Sequence, residues 1–495
     1  MEVAGGGCLA QRCYGAYSGC NLSWSGCIAV PAIRQGTREV NKKKPIEIEP
    51  PPPLSPLPVK PVPLSPGWQR AVVLIFVLSV FVGFAHLIVT PLLRADQGSL
   101  IQAPDEPAHW GYVRALAEGH KLPVRNDAAY KTYEWHQPPL YYLFLAPFYS
   151  SGYLAGRCIS LLIGLIGLVL LFYAARQFFP DEPERAVCAL AFAALIPMRQ
   201  AVYSSIGNDC MNELCFTLFL ILCYISLQKG FTITRAIGLG VCLGASLLTK
   251  ATGMLLFPLF LLLLFYLYRE NEAPSTIVRS AFVSICIAAL LTAPWFTRNM
   301  RIYHELTPIH AFQEEFAGTM KASDWMGKTE KVDMWTGRLE HAAPMNFTGY
   351  LALTANWTFR TFWASWTPIK LASMGIPAFL NPTIYLIYGF LVLISIAGLG
   401  KAHFNERRRY PTLKLHALYL SIGLFILTAL SFFGFIIVYF QAQGRYLYPA
   451  IFPMSILFSI GFLAFIPKKY RPHVIGAFIG FQVIVNIVFL LNIIT

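Results

Sequence analysis

Two adjacent carboxylates with a histidine one turn later, Asp105, Glu106 and His109, stand in the stretch QAPDEPAHWGY, residues 102–112. On a helix, side chains three and four apart share a face, so the imidazole lies beside both acids. Such a group can draw a proton from a hydroxyl as a general base, or hold a divalent cation. An aspartate at a helix start is also the ordinary N-cap, and that reading competes for Asp105. Further along come Glu134, His136 and Gln137 in EWHQPPLYY, Asn208 and Asp209 in SSIGNDCMNE, Lys250 in LLTKATG, Arg298 and Asn299 in PWFTRNMRIY, and Arg445 with Tyr446 in QGRYLYP. Lysine and arginine suit an anionic head group such as a phosphate, arginine with two parallel hydrogen bonds. Lys250 also reads as a lysine reaching from a loop to the membrane surface, and His136 as a local hydrogen-bonding partner.

The elements that must position these residues are membrane helices. Of 495 residues, 56% are hydrophobic and 13% charged, and the mean hydropathy is +0.53. The apolar content comes in blocks of roughly 16 to 26 residues, enough to cross a hydrocarbon core of about 30 Å as helix, without the alternation of an outer-membrane barrel. The sequence therefore predicts an all-α polytopic membrane protein with spans near 69–93, 153–178, 184–204, 209–228, 233–249, 252–268, 277–296, 380–400, 414–439, 447–466 and 474–494, eleven in all. Residues 138–150 are too short for a comfortable crossing and read as a re-entrant or interfacial helix, or as an extension of the next span.

The net charge of +14 does not point to nucleic acid, because the Lys and Arg residues sit in short loops between apolar runs. With eleven spans, ARQFFPDEPER, QKGFTITR, YRENEAPSTIVR, KAHFNERRRYPTLK and PKKYRPH all fall on one side, the cytoplasmic side by the positive-inside rule. Two long segments then lie outside. Residues 94–137 carry an amphipathic helix from Asp105, with an apolar face of Ala108, Val113, Leu116 and Ala117. Residues 297–379 end in a Trp- and Tyr-rich stretch suited to the lipid interface. Residues 1–66, with NKKKPIEIEPPPPLSPLPVKPVPLSP, are too charged and proline-dense for a core and read as a disordered cytoplasmic extension ahead of a transmembrane domain, 67–495, or as the product of a misassigned start codon. Of eleven cysteines, Cys8, Cys13, Cys20 and Cys27 lie there without a C-x-x-C pair, so neither a zinc site nor a disulfide framework is implied. The polar residues named above all fall on the extracytoplasmic side. Ionisable groups at membrane depth cost several kcal/mol unless they face a polar cavity, which makes them candidates for function.

PDEPAHWGYVRALAEG, HQPPLYYLFLAPFY, GND, LLTKATGMLLFP, PWFTRNMRIYHE and QGRYLYP, in that order over residues 69–455, resemble the GT-C class of membrane glycosyltransferases. The similarity is to the bacterial branch with protein O-mannosyltransferases and the lipid A aminoarabinose transferase. The resemblance implies a polyprenyl-phosphate-linked sugar as donor, a lipid, glycan or protein acceptor, the first outer loop as catalytic loop, and inversion at the anomeric carbon. It implies Asp105 as the base, supported by Glu106, with His109, His136, Gln137, Asn208, Asp209, Lys250, Arg298, Arg445 and Tyr446 around the substrates. Relatives have a Glu-Lys-Pro-Pro-Leu type motif where this chain has His136, Gln137, Pro138, Pro139 and Leu140, so Lys250 or Arg445 must supply the phosphate contact of the absent lysine. No cofactor is required, although Asp105, Glu106 and His109 could hold a divalent metal. The expected location is the inner (plasma) membrane with the site extracytoplasmic. A transporter or flippase of lipid-linked saccharides and a noncatalytic scaffold are the competing classes, the first lacking duplicated halves and midplane charges here.

Sidedness is directly testable. Reporter fusions after residue 110 and after residue 443 should score on the same, extracytoplasmic, face, and a fusion after residue 271 on the other. Opposite faces for the first two would break the scheme.

Overall fold

A computed structural model describes residues 61–494 except 95–96, 320, 327–329, 333–338, 342–344, 375–376 and 407–411. The four N-terminal cysteines and residues 1–60 of the expected extension thus lie outside the described residues. The chain is helical almost throughout. In order come α1 (Pro66–Val89), α2 (Glu106–Gly119), α3 (Leu140–Leu145), α4 (Tyr153–Phe178), α5 (Pro183–Ala194), α6 (Pro197–Tyr203), α7 (Asp209–Lys229), α8 (Ile233–Leu247), α9 (Leu256–Arg269) and α10 (Pro274–Tyr303). They are followed by α11 (Ile309–Glu315), α12 (Ala322–Met326), α13 (Phe347–Trp363), α14 (Pro382–Glu406), α15 (Thr412–Ile436), α16 (Ile451–Phe462) and α17 (Arg471–Ile494). The described strands form two short antiparallel ribbons, Glu330–Val332 with Leu339–His341 and Ser365–Trp366 with Ala378–Phe379.

Each of the eleven apolar stretches holds a helix. Among the described residues, eight helices are long and apolar enough to cross a membrane, or nine with the bent pair of α5 and α6 as one span. That pair corrects the continuous span expected at 184–204. Pro197 lacks an N–H and drives Ile196 into extended backbone, and the two helices meet at 60°. The carbonyls freed at the break are not left bare. Asn486 Nδ2 donates to Leu195 O at 2.9 Å, and Arg199 and Gln200 donate to Ala193 O and Ala194 O. α8 has 15 residues and α16 has 12, the latter preceded by a 3-10 turn, Gly444–Ala450, that carries Arg445. α10 runs on to Tyr303, beyond the expected 296. Residues 138–150 form α3 and a 3-10 turn, Ala146–Ser151, and Gly152 at φ 87° separates them from α4, so they do not extend that helix.

α5 is the axle of the fold. Every residue from Arg185 to Ala194 is buried, against α1, α4, α16 and α17. Small residues allow close backbone approach elsewhere, as in membrane bundles generally. At the crossing of α14 and α16, a Cβ on Gly398 would meet Gly461 O at 1.9 Å, whereas one on Gly400 of the same helix meets nothing within 4 Å. The starts of α2 and α7, the turn carrying Arg445, and the segments around 133–137 and 248–250 all gather at one end of the bundle.

Gly398→Ala should therefore destabilise the folded protein by about 1–3 kcal/mol or more through overpacking, read as a lowered Tm in a detergent thermal-shift assay. Gly400→Ala should leave Tm unchanged.

Candidate active site

Asp105 occupies the left-handed region, φ 58° and ψ 13°, immediately before α2. This is rare for a residue with a Cβ and is held only where surrounding contacts fix it. Its N–H donates to Ser99 Oγ at 2.9 Å, and its carbonyl accepts from Ala108 and His109. The carboxylate is consequently not an N-cap, since it accepts no N–H of its own helix. Oδ1 instead accepts from the Tyr133 hydroxyl at 3.0 Å and Oδ2 from Arg445 Nη2 at 3.0 Å.

Arg445 continues the chain of charges. Its Nη1 reaches Asp209 Oδ2 at 3.2 Å and its Nε reaches Gln443 Oε1 at 2.7 Å, while Asp209 Oδ1 accepts from Lys250 Nζ at 2.5 Å. Both cations lie over the ring of Tyr446, Arg445 at 5.1 Å and Lys250 at 5.8 Å. Gly444 makes this placement feasible, because a Cβ there would meet Phe362 Cα at 2.3 Å.

A cavity of about 370 Å³ is lined by Asp105, His109, His136, Gln137, Asn208, Lys250, Arg445 and Tyr446, together with Tyr133 and Glu134, while Asp209, paired with Lys250 and Arg445, lies off its wall. The rest of its wall is apolar, with Trp295 and Phe296 of α10, Phe312 and Phe316 at α11, and Phe432 and Phe435 of α15. Asn208 Nδ2 donates to Gln137 Oε1 at 3.1 Å and to Thr249 O at 3.0 Å, which orients both amides. His136 Nδ1 pairs with Tyr133 O at 2.9 Å, and His109 Nδ1 with the Tyr142 hydroxyl at 2.8 Å.

Burial raises the Asp105 carboxyl, but the Arg445 guanidinium, with the Tyr133 hydroxyl, more than offsets this and holds it below the usual range, so it is ionised at neutral pH. Burial pushes His136 down to about 4 and lowers His109, leaving both imidazoles neutral. Burial raises Glu134, with His109 acting in the opposite direction. Glu134 is 5% exposed, and its Oε2 has no hydrogen-bond partner, with His136 Nε2 4.0 Å away.

Two sequence expectations change. Glu106 does not face the cavity: both oxygens bind Arg157, at 2.7 and 2.6 Å, and Oε1 also accepts from Ile206 N. It therefore cannot complete a metal site with Asp105 and His109, and successive side chains at a helix start point in different directions. Among the described residues, the set able to hold a cation is Asp105, His109 and Glu134, with one atom from each within 4.8 Å of the others. A carboxylate pair with an imidazole, one oxygen without a hydrogen-bond partner, fits a divalent ion. Arg298 also lies apart. It donates to Asn299 Oδ1 and Pro123 O, stacks on Trp295 at 5.0 Å, and braces the first loop against α10. No role was expected for Tyr133 or for Arg157, whose signal was a lone arginine near the start of an apolar helix.

Residues 136–297 match the model of a family described as dolichyl-phosphate-mannose-protein mannosyltransferase. No curated protein matches the chain in sequence. Its fold is similar to that of ArnT from Cupriavidus metallidurans bound to undecaprenyl phosphate, with a TM-score of 0.50 and 16% identity over 86% of this chain and 71% of that one. The oligosaccharyltransferase of Archaeoglobus fulgidus in its apo form is similar at a TM-score of 0.48 and 13% identity, covering 86% of this chain and 55% of that one. The chain thus has an all-α polytopic fold similar to that of ArnT, as the order of its motifs implied.

Removing Arg445 leaves two carboxylates without their shared cation. Arg445→Met should cost about 3–5 kcal/mol, and adding Asp209→Asn should recover about 1–3 kcal/mol of it, measured as a double-mutant cycle in thermal or denaturant unfolding.

Proposed function

We propose that the protein is a membrane glycosyltransferase that moves a sugar from a polyprenyl-phosphate donor to an acceptor hydroxyl. The observation that carries this reading is the pairing, in one apolar-walled cavity, of an ionised carboxylate with two cations. A lipid-linked phosphate needs both an apolar wall for its chain and positive charge for its head group. The fold similarity to ArnT bound to undecaprenyl phosphate supports the same donor class.

The acceptor oxygen attacks the anomeric carbon while Asp105 takes its proton. The bond from that carbon to the phosphate oxygen breaks, its electron pair leaves with the phosphate, and Lys250 and Arg445 receive the growing charge. Direct displacement inverts the anomeric configuration. Proton removal contributes about 10² to 10⁴ in rate, and stabilisation of the departing phosphate is the larger contribution. Gln137, Asn208 and His136, neutral and oriented, would bind sugar hydroxyls, and Tyr446 backs the cations. A divalent ion is not required; at Asp105, His109 and Glu134 it would add positive charge beside the reacting carbon. The acceptor is a lipid, glycan or protein reaching the site from the extracytoplasmic side of the plasma membrane. No feature of the cavity calls for nucleic acid.

The test is a release assay in proteoliposomes with a radiolabelled polyprenyl-phosphate sugar. The wild type should cleave the donor, whereas a flippase would move it uncleaved. Asp105→Asn should lower kcat by about 10² to 10⁴ while the protein stays folded and binds undecaprenyl phosphate. Full activity of that variant would refute the assignment.

A further inference from the structure

The buried pair of Glu106 and Arg157 is not part of the cavity, yet it touches the chain beside two charged groups of the site, Asp105 and Asp209. All five N–H groups of Arg157 are engaged. Nε and Nη2 grip the two oxygens of Glu106, Nη1 donates to Leu87 O and Thr90 O at 2.8 Å each, and Nη2 also approaches Pro91 O at 3.5 Å. The guanidinium therefore fastens the end of α1 to the start of α2. Glu106 in turn accepts from Ile206 N at 2.8 Å, three residues before Asp209, and the next N–H, of Gly207, donates to the Tyr141 hydroxyl at 2.9 Å. Both side chains are sealed in, Glu106 at 2% and Arg157 at 1% exposure.

We infer that Arg157 and Glu106 are positioning residues of the transfer reaction: together they clamp the end of α1 and the first residue of α2, next to Asp105, to the backbone before Asp209 and so set the gap that Arg445 spans. Asp105 directly precedes Glu106, the α2 side of this clamp. Its left-handed backbone aims the carboxylate into the cavity only while the next residue is held inward. The planar fork of arginine is essential here, since a lysine ammonium supplies at most three donors from one point and cannot grip a carboxylate and two carbonyls in this geometry. Displacing a reacting group by about 1 Å costs on the order of 10²-fold in rate. Glu106 thus acts on catalysis through its neighbour, without touching substrate.

The kinetic half of this inference rests on the proposed transfer reaction; the structural half does not. The variants are Glu106→Gln, which keeps the shape and removes the charge, and Arg157→Lys, which keeps the charge and removes the fork. Each is purified, checked for monodispersity, and measured for donor turnover, binding of undecaprenyl phosphate, and hydrogen exchange by mass spectrometry. In folded Glu106→Gln, kcat should fall about 10²-fold with undecaprenyl phosphate affinity within about threefold, and exchange should rise in 99–112 and 202–212 together while other segments keep their protection. Arg157→Lys should show the same pattern to a smaller degree, about tenfold in kcat, and serves alone if Glu106→Gln does not fold. A kcat within threefold of wild type in either folded variant overturns the proposal, as does unchanged exchange in 202–212. If the wild type itself transfers no sugar, the functional reading fails, and the exchange data still decide whether the clamp exists.

Discussion

One guanidinium between two carboxylates organises the site. Arg445 bridges Asp105 and Asp209, and the first of these pairs joins residues 340 positions apart in the chain. In a medium of low dielectric, an arginine with a single acid or an acid without its arginine is strongly disfavoured, so the start of α2, the start of α7 and the turn after α15 must arrive together. Such a bridge adds little to net stability, because burying three charges costs about what their attraction returns. Its effect is on geometry. A helix end that slid by one turn would strand a charge, and this fixes the register of three elements that share no continuous secondary structure.

Lys250 extends the arrangement without closing it. Its ammonium sits on the far oxygen of Asp209, so the four groups alternate in sign, and two acids balance two cations. The rest of the cavity wall is apolar, with aromatic residues of α10, α11 and α15 facing it. Phe312 and Phe316 also pack edge-on against His136, at 4.8 and 5.9 Å, so the apolar wall reaches the histidine and holds its ring. Burial then keeps that imidazole neutral.

How much of this could be read from the sequence differs by residue. The helical class was plain because membrane crossing demands long apolar runs, and Asp105, Lys250 and Arg445 stood out because charge is rare in such a chain. Residue types and spacing did not distinguish Asp105 from Glu106, and the family resemblance alone put the base at Asp105. Adjacent residues at a helix start diverge in direction, and which one turns inward depends on Arg157, 51 positions from Glu106. Arg298 was expected around the substrates together with Arg445, but its fate is set by the carbonyl of Pro123, a partner in another segment that no local pattern announces. The break at Pro197 was visible as a proline and its consequence was not, since proline inside a membrane helix is often tolerated where neighbours satisfy the freed carbonyls. Here Asn486, Arg199 and Gln200 do so, which allows the full bend.

The bridge also has a consequence for the proposed reaction. At rest, Arg445 Nη2 is bound to the oxygen of Asp105 that lies nearest it, so part of its charge is already engaged. When Asp105 accepts the acceptor proton it becomes neutral, and its hold on the guanidinium weakens because the ion pair becomes an ordinary hydrogen bond. At the same moment the phosphate gains one negative charge as its bond to carbon breaks. The proton arriving on one side and the charge appearing on the other cancel, so the cavity passes through the reaction with its total charge unchanged. Arg445 is thereby transferred from the carboxylate to the phosphate as the bond breaks, without either being left in an apolar enclosure unpaired. Asp209 makes this transfer workable, because it keeps the guanidinium in place through its other nitrogen while the first partner is exchanged.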